Sequence, residues 1–420
     1  MKAIVIGGGI IGLCSAYYLQ EGGWDVTIID QGDFTNNCSY GNMGMIVPSH
    51  FVPLAAPGIV SQGIRWMFNS KSPFYVKPAL NKQLISWGLK FMKNANAQHV
   101  AASALPLRDL NLFSRSLYAD LAQKEGFSFG LERKGIIMYY KTAAVAEEET
   151  HLAKQANNMG LDAVVLDKAA LRALEPQVEM DVLGGVHYRC DGHLYPNDLM
   201  QQLIAYLQQQ QVQFIPGKAV TGIKTKGGKV ISVTTGNEDH TADVFVLAAG
   251  SWTPAVARLA GNHVPMMPGK GYSVTLETPA VNLNIPAILC EARVALTPMG
   301  NRLRYGGTME LAPINDQVNM NRVAGIVDSI QRYFTNLPIN MPDKKAVWSG
   351  CRPCSPDGLP YIGFMPGYNN LLLGAGHAMM GLSLGPATGK LLAELADHGA
   401  TTSIDVGAFS PARKNARVGF

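Results

Sequence analysis

The chain has 420 residues, 47% hydrophobic and 16% charged, with a formal net charge of +4. That length exceeds what one compact core organises, so two domains are expected, and the apolar content excludes a disordered or fibrous chain. Lysine and arginine are spread along the sequence rather than clustered, which gives nucleic-acid binding no support.

Met1 to Asp30 reads as a strand, a glycine turn, a helix and a second strand. The apolar run Ala3-Ile4-Val5-Ile6 ends in Gly7-Gly8-Gly9-Ile10-Ile11-Gly12, a small-residue helix follows through Cys14, Ala16, Tyr17 and Leu19, and Val26 to Ile29 closes on Asp30. Gly7 permits the tight turn, Gly9 lets the backbone approach a pyrophosphate, and Gly12 lets the helix pack closely on the sheet. A phosphate then sits on the unpaired N–H groups and positive dipole end of the helix that Ile10 and Ile11 open. Asp30, followed by Gln31, has the spacing of an acid that accepts hydrogen bonds from a ribose diol, and it would repel a 2′-phosphate. The pattern identifies a dinucleotide site without separating NAD from FAD. The opening apolar run holds these glycines instead of a cleavage site, and no stretch approaches the ~20 apolar residues of a membrane span, so a cytoplasmic protein is expected.

The segment from Gln31 to Ser49 is a long irregular loop, a common carrier of function. Trp66, Met67 and Phe68, then Trp87, Leu89, Phe91 and Met92, lie on segments that also carry Arg65, Lys71, Lys90 and Lys93. Helical core faces are the expectation there, with a membrane-surface patch as the alternative. Further helices are predicted over Leu105 to Lys124 and Asn197 to Gln210, and strands over Gly135 to Tyr140, Val212 to Ile215, Ala219 to Lys224, Val230 to Thr234 and Val244 to Leu247. The last runs into Ala248-Ala249-Gly250-Ser251, a small-residue turn that can lie against a cofactor. From Pro265 to Ala346 the strands lengthen, at Tyr272 to Leu276, Val294 to Thr297 and Leu303 to Gly306, as in a mostly antiparallel sheet. Leu371 to Leu373 then leads through Gly374-Ala375-Gly376-His377 into a helix from Leu384 to Ala396. The expected fold class is therefore α/β with an α+β substrate domain. A Rossmann-like dinucleotide domain comes from residues 1–60, 190–262 and 346–420, and a substrate domain from 61–189 and 263–345.

Six cysteines in so long a chain do not make a disulfide framework. Cys351-x-x-Cys354 with Cys190-x-x-His193 would supply four zinc-type ligands, but neither pair sits in a knuckle, so no metal is expected. Pro353 and Pro356 place the CxxC in a rigid turn rather than at a helix start, which disfavours redox activity.

Taken together, these blocks resemble the flavoprotein family of D-amino-acid oxidase, glycine oxidase and sarcosine oxidase, and especially its bacterial FAD-dependent D-amino acid dehydrogenases. The carriers span nearly the whole chain: Gly7-x-Gly9-x-x-Gly12, Ser39-Tyr40-Gly41-Asn42-Met43-Gly44, Ala249-Gly250-Ser251, Pro268-Gly269-Lys270-Gly271-Tyr272-Ser273, Gly306-Gly307-Thr308-Met309-Glu310, Trp348 to Pro360, and Gly376-His377 with Gly381. The resemblance implies FAD, not NAD. It implies that Ser39 and the Asn42-Met43-Gly44-Met45 backbone lie near the flavin, Val220 near the adenine end, and Ala249 and Gly250 along the cofactor. It also places Gly376, His377, Met379, Met380, Gly381 and Leu382 at the pyrimidine side of the ring, with His377 a flavin contact rather than a base.

Oxidation at Cα needs the substrate carboxylate held, and arginine's planar fork suits it. The resemblance assigns that role to Arg352. Tyr272 is a candidate second donor to the carboxylate, with half-buried packing as its alternative, and His50 is either a substrate contact or a plain loop histidine. Hydride transfer from a neutral amine to flavin N5 needs no side-chain base at Cα. The expected reaction converts a D-amino acid to an imine and then to a 2-oxo acid and ammonia. Electrons then pass to a respiratory acceptor, quinone or otherwise oxygen, which admits a peripheral position on the inner membrane. Cys190 to Pro196 departs from the pattern of relatives acting on D-alanine, so a cyclic secondary amine such as cis-4-hydroxy-D-proline or D-proline is the alternative substrate. A flavin-dependent RNA-modifying protein would need a basic face that the sequence does not offer.

Overall fold

The computed structural model describes residues 1–67, 69–76 and 82–419. Its nucleotide-type sheet runs in the order Tyr361–Phe364, Leu371–Ala375, Val244–Leu247, Lys2–Ile6, Asp25–Ile29, Gln213–Ile215. All neighbours are parallel except the outermost Tyr361–Phe364 pair. Lys2–Ile6 sits in the middle with helices or loops on both faces, which is why it reads as a continuous apolar run instead of alternating. One face carries the helices Ile10–Glu21 and Gly381–His398, in contact over Leu13, Cys14, Ala387 and Leu391. A Cβ on Gly389 would lie 2.4 Å from the Cys14 carbonyl carbon, so glycine sets how near the two backbones come. The other face packs Ile4, Ile6 and Leu247 against Val230, Val233 and Ala257, which belong to a three-stranded meander and the helix Thr253–Leu259.

The second sheet runs Trp348–Cys354, Met267–Leu276, Arg302–Leu311, Val294–Met299, Ala287–Leu289, Ile136–Tyr140, Gly184–Tyr188, Ala163–Asp167. Phe74–Val76 adds parallel to the end of Arg302–Leu311, and Ala287–Leu289 pairs parallel with Ile136–Tyr140; the rest is antiparallel. Its core holds Tyr139, Leu296, Tyr305 and Phe334, closed by the helix Met320–Tyr333.

Three expectations change. Trp348 to Cys354 is not a rigid turn but the edge strand of the large sheet, with Pro353 opposite Pro268. An edge strand tolerates a missing N–H, so proline does not prevent the pairing. The helix expected from Leu105 begins at Ala97, capped by the Asn96 side chain, and runs through Pro106 to Leu121. It falls within residues 61–189, yet buries Leu107, Leu110, Tyr118 and Leu121 against the dinucleotide-side core, so packing does not follow that boundary. Ile59–Met67 and Lys82–Asn94 are helices, but only partly core-facing: Trp87 is buried against Met267 and Cys354, whereas Ile64, Ile85, Leu89 and Met92 are each at least half exposed. Phe68 lies outside the described residues. Among the described residues no helix is long and apolar enough to cross a membrane.

Candidate active site

A cavity of about 830 Å³ runs between the two sheets, from the first glycine turn to the edge strand Trp348–Cys354. At one end it is lined by Gly7, Gly9, Ile10, Ile11, Asp30, Gln31 and Val220. Gly7 has φ +113, a value that favours glycine, and the helix after it opens without a capping side chain or an acid in its first turn. Ser39 Oγ accepts from Ile10 N–H at 2.9 Å, tying the 31–49 loop to that turn. The Asp30 carboxylate accepts from Gly8 and Gly32 N–H, each at 2.6 Å, which fixes it facing the cavity with lone pairs to spare.

The middle is walled by Ser39, Asn42, Met43, Met45, Ala249 and Gly250, and by His377, Met379, Met380, Gly381 and Leu382. The helix Gly381–His398 opens onto it uncapped by any side chain, a favourable place for negative charge. His377 Nε2 pairs with Thr388 Oγ1 at 2.8 Å, and burial pushes its pKa down to about 3, so it is neutral. Three sequence-predicted positions do not line the cavity. A Cβ on Gly12 would meet Gly7 O at 1.8 Å, one on Gly44 would meet Leu194 O at 2.1 Å, and one on Gly376 would meet the Tyr361 ring at 2.8 Å. Their part is close packing of the walls.

The far end brings together Arg352, Tyr272, His50, Lys270 and Arg293. The strand register sets Arg352 opposite Gly269, and the guanidinium lies across Gly271, where a Cβ would be 2.0 Å from Nη1. Among the described residues the Arg352 guanidinium makes one hydrogen bond, Nη1 to Thr308 O at 2.7 Å, and no ion pair. Burial lowers its pKa, yet an arginine stays charged, so an unpaired cation faces the cavity. Thr308 has φ +66, a strained conformation that aims its carbonyl at Arg352.

Tyr272 does not keep its proton for a ligand. Its hydroxyl donates to Glu310 Oε1 at 2.9 Å and accepts from Asn319 N–H at 3.2 Å, and burial followed by Glu310 raises its pKa. The second-donor expectation is therefore corrected: a buried carboxylate competes for that proton. His50 is half-buried, and burial followed by Arg293 pushes its pKa down to about 4.

Lys270 and Arg293 were missed as site residues. Lys270 Nζ donates to Asn315 Oδ1 at 2.7 Å and Gln317 O at 2.5 Å; its only signal was a place inside the Pro268 to Ser273 block. Arg293 lines the cavity from a left-handed backbone position, φ +52, that no local pattern announced. All six cysteines are free, and among the described residues no cluster of three or more His, Cys, Asp or Glu is placed to hold a metal. The elongated cavity, with a glycine turn and acid at one end and cations at the other, fits a dinucleotide cofactor with an anionic substrate beyond it.

The family profile described as FAD dependent oxidoreductase matches residues 2–395. The chain is 31% identical over 412 residues to a D-amino acid dehydrogenase of Vibrio vulnificus, covering 94% of this chain and 95% of that one. It is 29% identical over 405 residues to a D-amino acid dehydrogenase of Granulibacter bethesdensis, covering 94% and 95%. Among solved structures, glycine oxidase from Geobacillus kaustophilus superposes with a TM-score of 0.77 at 22% identity, covering 97% of this chain and 98% of that one.

Proposed function

The chain belongs to the FAD dependent oxidoreductase family, and from that premise we propose that it oxidises the Cα–N bond of a D-amino acid and passes the electrons to a respiratory quinone. One observation carries the substrate class: Arg352 is a buried guanidinium with no carboxylate partner among the described residues, in the wall of the cavity that fits FAD. A charge in that position needs an anion, and its planar fork matches a carboxylate. Lys270 adds positive potential at the same end. The Tyr272–Glu310 pair stiffens the strand carrying Lys270 against its neighbour Arg302–Leu311, where Tyr272 opposes Gly307. FAD bound in this cavity supplies a two-electron acceptor for the hydrogen at Cα. The protein's part is to hold the carboxylate, orient the Cα hydrogen and free the amine of its proton. The imine then leaves, and water converts it to a 2-oxo acid and ammonia.

The chirality rests on the relatives named D-amino acid dehydrogenase at about 30% identity. Anaerobic mixing of the FAD-loaded protein with D-alanine, L-alanine, glycine, D-proline and cis-4-hydroxy-D-proline tests it. A D-compound should bleach the flavin fastest, and reoxidation by a soluble quinone should outrun reoxidation by air. Faster bleaching by L-alanine or glycine would overturn the substrate reading, and rapid air oxidation with stoichiometric peroxide would remove the quinone.

A further inference from the structure

An amino acid enters as the ammonium form, yet hydride departure from Cα needs the nitrogen lone pair. A proton must therefore leave a cavity whose far end already holds Arg352, Lys270 and Arg293. On the proposed amino-acid reading, we infer that His50, Ser49 and Asp191 form a proton relay that carries the substrate ammonium proton from this cavity to a second one behind the wall.

The geometry is continuous. His50 lines the first cavity, and its Nδ1 lies 3.1 Å from Ser49 Oγ. Ser49 Oγ donates to Asp191 Oδ2 at 2.5 Å, while Ser49 N–H donates to Asp191 Oδ1 at 2.9 Å. Asp191 is only 1% exposed, yet it also lines a separate cavity of about 340 Å³ walled by Arg115, Arg133, Arg189 and Asp120. Asp191 thus stands between the two spaces, with Ser49 on one side and the arginines on the other.

With Asp191 ionised, the hydroxyl count fixes the tautomer. Ser49 has one proton, and it goes to the Asp191 carboxylate, so the His50 contact must be Nδ1–H donating to Ser49 Oγ. Nε2 then carries the lone pair, and among the described residues it has no hydrogen-bond partner. When Nε2 takes the ammonium proton, Nδ1–H passes to Ser49 Oγ and the Ser49 O–H proton passes to Asp191 Oδ2. One N–H bond of the substrate is lost, one O–H bond of a carboxyl is gained, and no electrons move. Burial and Arg293 make a standing imidazolium unfavourable, pushing His50 down to about 4, so the ring hands the proton on. Burial raises Asp191 to about 7, a value at which a carboxylate both accepts and releases a proton near neutral pH.

The charged surroundings are accounted for. Asp191 faces Arg115 from the helix Ala97–Leu121, its own neighbour Cys190, and Tyr188 on the adjoining strand. Arg133, Arg189 and Asp120 border the outlet, and Arg293 faces His50. Arg115, with the hydrogen bonds from Ser49, opposes the burial that raises Asp191, and the arginines of the outlet repel a proton that would linger there.

The test is the pH profile of flavin reduction in single-turnover mixing of the FAD-loaded protein with the best D-substrate. Wild type should show an acid limb near pH 7, where Asp191 becomes a carboxylate. Asp191→Asn keeps the contact with Ser49 N–H but takes no proton. Its rate should fall by about 10²-fold at neutral pH and converge on wild type in alkali, where the substrate amine is already free. Ser49→Ala leaves Asp191 in place and should shift the profile in the same way, with the double variant no slower than either single one; it carries the test if Asp191→Asn does not accumulate. Infrared titration of the resting protein should show a carboxyl band that titrates near pH 7 and is absent from Asp191→Asn. An Asp191→Asn profile equal to wild type, or lowered by one constant factor at every pH, would overturn the relay. Failure of every amino acid to bleach the wild-type flavin would instead overturn the proposed function.

Discussion

At the scale of single residues the site depends most on Arg352, because among the described residues its charge has no acidic partner. Arg352→Ala should keep bound FAD but lose about 2–5 kcal/mol of transition-state stabilisation, the range for breaking a desolvated charge pair. Arg352→Lys should recover only part of it, since an ammonium cannot form the fork; kcat/KM for both variants checks this, and near-normal values in the alanine variant would refute the role. Arg352 was legible in the sequence because it stands in a long, ordered block. Tyr272 was legible as a position but not as a role, since nothing near it in sequence announces that Glu310, 38 residues on, accepts its hydroxyl hydrogen bond. The same limit hid Asp191: its partner Ser49 is 142 residues away, and a buried carboxylate reads in sequence like any loop aspartate.

At the scale of elements, the contact between the helices Ile10–Glu21 and Gly381–His398 supports the cavity from below, because both helices open onto it. Gly389→Val would drive a Cβ into the Cys14–Ser15 backbone, with distances of 2.4–2.7 Å before any relaxation. A loss of about 1–3 kcal/mol or more in stability follows, with weaker FAD binding, measurable by denaturant unfolding and fluorescence titration. Gly88→Ala is the matched control. That helical glycine has nothing within 4 Å, so the change should stabilise by about 0.5–1 kcal/mol. Most elements around the glycine motifs were visible from sequence, because strands buried on both faces give uninterrupted apolar runs. Gly184–Tyr188 and Trp348–Cys354 were not, since glycines and prolines there mimic turn chemistry while the neighbouring strands supply the pairing. The helices Ala143–Asn158 and Met320–Tyr333 were also missed, their polar faces masking the apolar ones.

At the scale of the whole molecule, the cavity walls come from both sheets, so the cofactor joins them. Removing FAD should lower Tm, and returning it at about 100 times its Kd should restore about 2.7 kcal/mol by mass action; a melting temperature indifferent to FAD, or raised equally by NAD, would contradict the fit. The two-sheet architecture was legible from the change in strand length, but the side on which Ala97–Leu121 packs was not, because periodicity marks an apolar face without naming what covers it. The strand order carries a further consequence, in time. Lys2–Ile6 is the centre of its sheet, yet its partner Val244–Leu247 and the next strand Leu371–Ala375 are far downstream. At about 5–20 residues per second, a ribosome delivers the last of these roughly 20–75 s after the first. Until Val244–Leu247 is made, Lys2–Ile6 has only Asp25–Ile29 beside it, and Val244–Leu247 then waits in turn for Leu371–Ala375. The sheet therefore closes late, and an open apolar strand edge persists on the nascent chain until it does.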